Sequence, residues 1–147
     1  MSANEPTKLD AAIMAMIERL RSERVLTSPM VEDALRFVPR HLFIDGAALD
    51  AAYAETAVTV KVDRDGTALS SVSQPAIVAT MLELTQLEPG HRVVEVGTGT
   101  GYNAALLSRI VGPDGLVVSI EIEEDLAVTA RARLTNQGFA AVQVVVG

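Results

Sequence analysis

Apolar residues recur at spacings of three and four between residues 7 and 25. Leu9, Ala12, Ile13, Met16, Ile17 and Leu20 fall on one face, which predicts an amphipathic helix. Thr7 followed by Asp10 has the pattern of a capping box at its start. Ser28-Pro29 joins an N-cap residue to a proline at the first helical position. A second helix is expected there, turning Val31, Ala34, Leu35 and Val38 inward and stopping near Pro39. The Ala-rich stretch 47–54 predicts a short third helix. The period then changes. Val58, Val60 and Val62 alternate with Thr59 and Lys61 as in a strand, Asp63-Arg64-Asp65-Gly66 is a turn, and 67–73 is extended. Helical spacing returns over 74–87 through Ile77, Met81, Leu84 and Leu87, with Ser73 as the expected N-cap.

The last third is the most regular. Short apolar runs at 93–96, 116–121 and 142–146 alternate with helical patterns at 102–111 and 123–136, the second closed by Gly138. Strand–helix–strand–helix–strand with continuous apolar strands predicts an α/β chain whose parallel sheet is covered on both faces. The chain divides into a helical segment (1–57), a hairpin and helix (58–90) and a βαβαβ half (91–147) of one domain.

Composition narrows the chemistry. Of 147 residues, 19 are Asp or Glu and 12 are Lys or Arg, a net charge of -7, which argues against a nucleic-acid partner and an anionic membrane surface. Cysteine is absent and there are two histidines, His41 and His91, so a thiolate nucleophile or a zinc site is not expected. No apolar run is long enough to span a bilayer, and residues 1–6 lack the pattern of a secretory signal. The expected location is the cytoplasm.

The strongest chemical signal is Glu95-Val96-Gly97-Thr98-Gly99-Thr100-Gly101, placed between a strand and a helix. Glycines there allow a sharp turn and close approach of a ligand. The GxGxG spacing departs from the dinucleotide fingerprint, and Glu95 would set negative charge beside a diphosphate, which disfavours a nicotinamide-dependent oxidoreductase. Glu121 ends the next strand, where a carboxylate can accept hydrogen bonds from a ribose diol. The two acids suit a cationic nucleoside such as S-adenosylmethionine.

The run Val93-Val94-Glu95-Val96-Gly97-Thr98-Gly99-Thr100-Gly101-Tyr102 resembles the first motif of the protein-L-isoaspartate O-methyltransferases. Ser71-Val72-Ser73-Gln74-Pro75 and Val38-Pro39-Arg40-His41-Leu42-Phe43 resemble two further motifs of that family, in the same order. The resemblance implies a Rossmann-like class I methyltransferase fold preceded by a helical segment. It implies S-adenosyl-L-methionine as cofactor and methyl transfer to the side carboxylate of isoaspartyl residues in damaged proteins or peptides. On this resemblance Ser73 orients the substrate carboxylate. Glu95, Gly97, Thr98, Gly99 and Gly101 form the cofactor floor, Glu121 holds the ribose, and Leu69 and Ser71 line the cofactor.

Arg40 and His41 read more simply as cations at a helix C-terminus, and Lys61, Asp63, Arg64 and Asp65 as a solvated turn. Ser71 stands where the common family form has Thr. The long polar hairpin at 61–66 looks more like bacterial relatives that methylate aspartates in ribosomally made peptides. A non-catalytic S-adenosylmethionine-binding chain is a further alternative. In the family an Asp-Gly follows the third strand, whereas this sequence reaches Gly147 one residue before that acid. The chain therefore reads as C-terminally truncated, weak as an enzyme, and prone to self-association through an unpaired sheet edge.

Overall fold

The computed structural model describes residues 7–147; the signal-peptide reading of residues 1–6 lies outside the described residues. Helix α1 runs Lys8–Ser22 behind a complete Thr7–Asp10 capping box, and α2 runs Pro29–Phe37. Val38 is extended, as a residue before proline must be, so α2 ends there and Pro39 leads into a 3₁₀ turn, Arg40–Phe43. The Ala-rich stretch yields only one turn, α3 (Leu49–Ala52). Strands β1 (Val58–Val62) and β2 (Ala68–Val72) pair antiparallel, with irregular register around Lys61.

Helix α4 runs Pro75–Thr85, and its N-cap is Gln74, not Ser73. The reason is Pro75. It takes the first helical position and forces the residue before it into extended geometry, moving the cap one residue along from the expected place. Ser73 is thereby left in the corner between β2 and α4.

The remainder is β3 (Arg92–Val96), α5 (Tyr102–Val111), β4 (Leu116–Glu121), α6 (Glu124–Asn136) and β5 (Gln143–Val146). The three strands are parallel in the order β3-β4-β5. The start of α5 at Gly101 packs against Leu134 and Ala130 of α6, so α5 and α6 lie on the same side of the sheet, as right-handed crossovers advancing in one direction require. The sheet is therefore covered on one face among the described residues, not on both as the apolar strands suggested. On the covered side lie Val117, Ser119, Glu121 and Val144, all buried. On the other, Val94 is 65% and Val145 45% exposed. Among the described residues β3 has β4 as its sole strand partner. The core joins Met16, Ile17 and Leu20 of α1, Ala34 and Leu35 of α2, and Ala104 to Leu107 of α5. This anchors the β3–α5 loop between two rigid layers.

Candidate functional site

The loop Gly97-Thr98-Gly99-Thr100-Gly101 leaves the C-terminal end of β3, where ligands of open parallel sheets bind. Its shape is fixed by the neighbouring strand. The Gly97 and Thr98 amides donate to the Ile120 carbonyl at 2.8 and 3.2 Å. The Gly99 amide donates to Glu121 Oε2 at 2.8 Å. Gly101 has φ +89°, and a Cβ there would stand 3.2 Å from Leu134 Cγ, so only glycine lets α5 start this close to α6.

Glu95 projects from β3 beside this loop. Asn103 Nδ2 donates to its Oε1 at 2.8 Å, and the Ser119 hydroxyl donates to its Oε2. Ser119 also pairs with the Thr98 hydroxyl at 2.6 Å. Burial pushes the Glu95 carboxyl above its ordinary range; the Ser119 and Asn103 hydrogen bonds oppose this, and the Glu121 charge adds to it. Glu121, 6% exposed, spends one lone pair of each oxygen on the chain, through Gly99 N and through Glu123 N at 3.1 Å. Each oxygen keeps capacity for another donor. No lysine or arginine forms an ion pair with Glu95 or Glu121 among the described residues. Asn103 Oδ1 is buried without a partner.

Glu95, Asn103, Glu121 and loop residues 97–100 line a cavity of about 730 Å³ together with Leu69, Ser71, Val72, Ser73 and Tyr102. Of the nine residues singled out in the sequence, Leu69, Ser71, Ser73, Glu95, Gly97, Thr98, Gly99 and Glu121 meet at this one cavity. Gly101 does not line it; its place is the α5–α6 contact.

Several side chains at or behind the site escaped the sequence reading. Asn103 and Ser119 complete the Glu95 network, yet Asn at the start of a helix and Ser in a strand carry no signal of their own. Arg40 is more than a cation at a helix C-terminus. It is 0% exposed, and its Nε donates to the Ala52 carbonyl at 2.6 Å and its Nη2 to the Ser73 carbonyl at 2.8 Å. His41 Nδ1 lies 3.2 Å from the Tyr53 hydroxyl. Lys61 is not part of a free turn: its Nζ meets Glu123 at 2.5 Å and Asp125 at 2.7 Å, which raises its pKa, Asp125 contributing most. Lys61 thus ties the hairpin to the opposite wall of the cavity. Asp63 does serve the turn, its Oδ1 accepting from the Asp65 and Thr67 amides.

A parallel βαβαβ sheet with a glycine-rich first loop and a carboxylate ending each of its first two strands is the Rossmann-like class I methyltransferase fold. The model of the protein-L-isoaspartate(D-aspartate) O-methyltransferase family matches residues 11–147. The chain belongs to that family. It is 43% identical over 132 residues to protein-L-isoaspartate O-methyltransferase 2 of Archaeoglobus fulgidus, covering 90% of this chain and 57% of the relative. With protein-L-isoaspartate O-methyltransferase 2 of Rhodopseudomonas palustris (strain HaA2) it shares 44% over 117 residues, covering 80% of this chain and 50% of the relative. The chain therefore spans half to three-fifths of these relatives' length. A solved protein-L-isoaspartate O-methyltransferase superposes with TM-score 0.81 at 32% identity, over 92% of this chain and 42% of that one. A Plasmodium falciparum structure, described as a beta-aspartate methyltransferase in complex with S-adenosyl-L-homocysteine, shares the fold with TM-score 0.74 at 18% identity, over 89% of this chain and 61% of that one. No described helix is long and apolar enough to cross a membrane.

Proposed function

We propose that this chain carries the donor site and the carboxylate corner of an S-adenosylmethionine-dependent carboxyl O-methyltransferase acting on L-isoaspartyl residues of damaged proteins or peptides in the cytoplasm. The observation that carries the reading is the pair of carboxylates, Glu95 and Glu121, facing one cavity without a cationic partner among the described residues and next to the orphaned Asn103 Oδ1. A buried and a half-buried carboxylate beside an unpaired amide oxygen are costly unless a donor arrives, and a cationic nucleoside brings ammonium and hydroxyl donors. When bound, the cofactor supplies an electrophilic methyl group on a sulfonium. Glu95 and Asn103 Oδ1 would accept from the ammonium group and Glu121 from the ribose diol, while Gly97 and Gly99 keep the floor clear of side chains.

The acceptor side follows from what the site lacks. A carboxylate is already ionised at neutral pH, and its esterification releases no proton, so no side chain has to act as a base. The task left to the chain is orientation and exclusion of water. Ser73, at the β2–α4 corner on the same cavity, would donate its hydroxyl to the acceptor carboxylate. Ser71 and Leu69 supply the wall between hairpin and cofactor. The sections 1–57, 58–90 and 91–147 then divide the work: core support, acceptor corner and donor site.

Calorimetry tests this reading. S-adenosylhomocysteine should bind and NAD should not, and with the former bound, an isoaspartyl hexapeptide should bind more tightly than its aspartyl isomer. Binding of NAD in place of S-adenosylhomocysteine contradicts the donor site. Preference for the aspartyl isomer contradicts the repair substrate and favours modification of an aspartate in a biosynthetic peptide, the use to which the long polar hairpin points.

A further inference from the structure

Arg40 presents a physical problem that the proposed site resolves. Its guanidinium is fully buried, and no carboxylate lies within ion-pair distance of it among the described residues. The hydrogen bonds it makes go to neutral carbonyls, Ala52 on α3 and Ser73 at the β2–α4 corner. Nη1 and the hydroxyl of Tyr102, whose ring centroid lies 5.1 Å from the guanidinium carbon, have no well-formed hydrogen bond and interact only loosely with each other. The Glu55 carboxylate acts on Arg40 from a distance, but is itself engaged by Arg19 at 3.3 Å and by the Ala76 amide at 2.9 Å. A charge buried in this way is a poor stabiliser of a fold, since removing an ion from water costs more than neutral acceptors return. A neutral side chain could fill the space, so the positive charge asks for another explanation.

Its position supplies one. Tyr102 and Ser73 both line the cavity, and Arg40 lies directly behind the two of them. We propose that Arg40 is a positioning residue for the acceptor corner: it fixes Ser73 through the Ser73 carbonyl and sets a permanent positive charge behind the place where the substrate carboxylate docks. Fixing the carbonyl fixes the backbone from which the Ser73 hydroxyl projects. The charge, screened from water by Tyr102 and Ser73, acts through a medium of low polarity, where it favours an anion more than any surface lysine does. Arg40 touches neither cofactor nor reacting atoms, so its effect has to pass through Ser73 and through the field. The inference rests on the proposed carboxyl methyltransferase function.

The test is a mutant cycle on the purified chain, reading S-adenosylhomocysteine affinity by calorimetry and methyl transfer to an isoaspartyl hexapeptide by radiolabel. Arg40→Met, close in volume and uncharged, should lower kcat for transfer roughly 10- to 150-fold, the loss expected for a hydrogen bond to a charged group. S-adenosylhomocysteine affinity should be unaltered. Arg40→Lys keeps the charge and should recover part of the lost kcat; it also serves if the Met variant does not fold. In a Ser73→Ala background either substitution should cost much less than it does alone, because two residues acting as a unit are not additive. Losses that multiply, a fall in cofactor affinity parallel to the fall in kcat, or a Lys variant no better than Met would overturn the assignment. If the unaltered chain binds S-adenosylhomocysteine yet transfers methyl to neither isomer, the proposed function fails and this inference fails with it. A cycle that multiplies in an active enzyme refutes the inference alone.

Discussion

Replacing Glu95 with Gln should make the protein more stable and a worse binder of its cofactor at the same time. Burial raises the Glu95 carboxyl, and Glu121 raises it further against the pull of the Ser119 and Asn103 hydrogen bonds. A carboxyl whose pKa is higher folded than unfolded binds more protons in the folded state between the two values. Its contribution to stability therefore falls as pH rises through that window. Gln is nearly isosteric and uncharged. Its oxygen can still accept from Ser119 or Asn103 Nδ2, and its amide can donate to Asn103 Oδ1, which has no partner at present. Turning two charge-assisted hydrogen bonds into neutral ones gives up about 1–2 kcal/mol. Relieving a partly buried carboxylate of its desolvation returns somewhat more, several kcal/mol at full burial and less at this half-buried position. The net gain is about 1 kcal/mol at pH 7, which for a chain of this length raises Tm by about 3–4 °C. Below about pH 4 the wild-type carboxyl is protonated folded and unfolded alike, so the advantage should vanish. Affinity for S-adenosylhomocysteine should drop about 10- to 150-fold, the loss of one hydrogen bond to a charged acceptor. Scanning calorimetry across pH and titration calorimetry at pH 7 read the two effects. A variant that is less stable at pH 7, or that binds as well as wild type, would refute the reasoning.

Four other substitutions probe separate parts of the structure. Gly101→Ala places a Cβ 3.2 Å from Leu134 Cγ at φ +89° and should cost roughly 2–4 kcal/mol in urea unfolding, from backbone strain and overpacking together. Gly97→Ala, at φ +88° with nothing within 4 Å, should cost about 1–2 kcal/mol from strain alone. Lys61→Met frees the hairpin from Glu123 and Asp125; stopped-flow measurements should find faster cofactor release, and the dependence of that rate on salt should shrink. Val94→Lys sets a charge on the uncovered sheet face, where Val94 is 65% exposed, and should reduce concentration-dependent self-association in sedimentation velocity while leaving Tm within about 1–2 °C.

Much of this architecture could be read along the chain because local signals agreed. The Thr7–Asp10 box, Ser28-Pro29, the valine alternation at 58–62 and the glycine-rich loop each specify geometry within a few residues, and the elements formed where these signals stand. Misreadings arose where an immediate neighbour or a distant residue overrode the local pattern. Ser73 lost the cap to Gln74 through the demand Pro75 makes on its neighbour. The apolar strands suggested cover on both faces, but the strand order β3-β4-β5, which hydropathy does not encode, goes with α5 and α6 packed together on one side. Arg40 read as a helix-end cation and Lys61 as part of a solvated turn because their partners are far along the chain: Ala52 and Ser73 for one, Glu123 and Asp125 for the other. For the site, residue types at strand ends located the acids and glycines, whereas Asn103 and Ser119 became visible only once folding carried them to Glu95.

Methyl transfer itself is the decisive measurement. The chain is incubated with S-adenosylmethionine labelled on its methyl group and with a hexapeptide carrying either L-isoaspartate or L-aspartate, and base-labile methyl ester is counted. Label on the isoaspartyl peptide, with the aspartyl isomer near background and the signal sharply reduced by Ser73→Ala, is the predicted result. Label on neither peptide, or transfer to the isoaspartyl peptide that Ser73→Ala leaves unchanged, would contradict it.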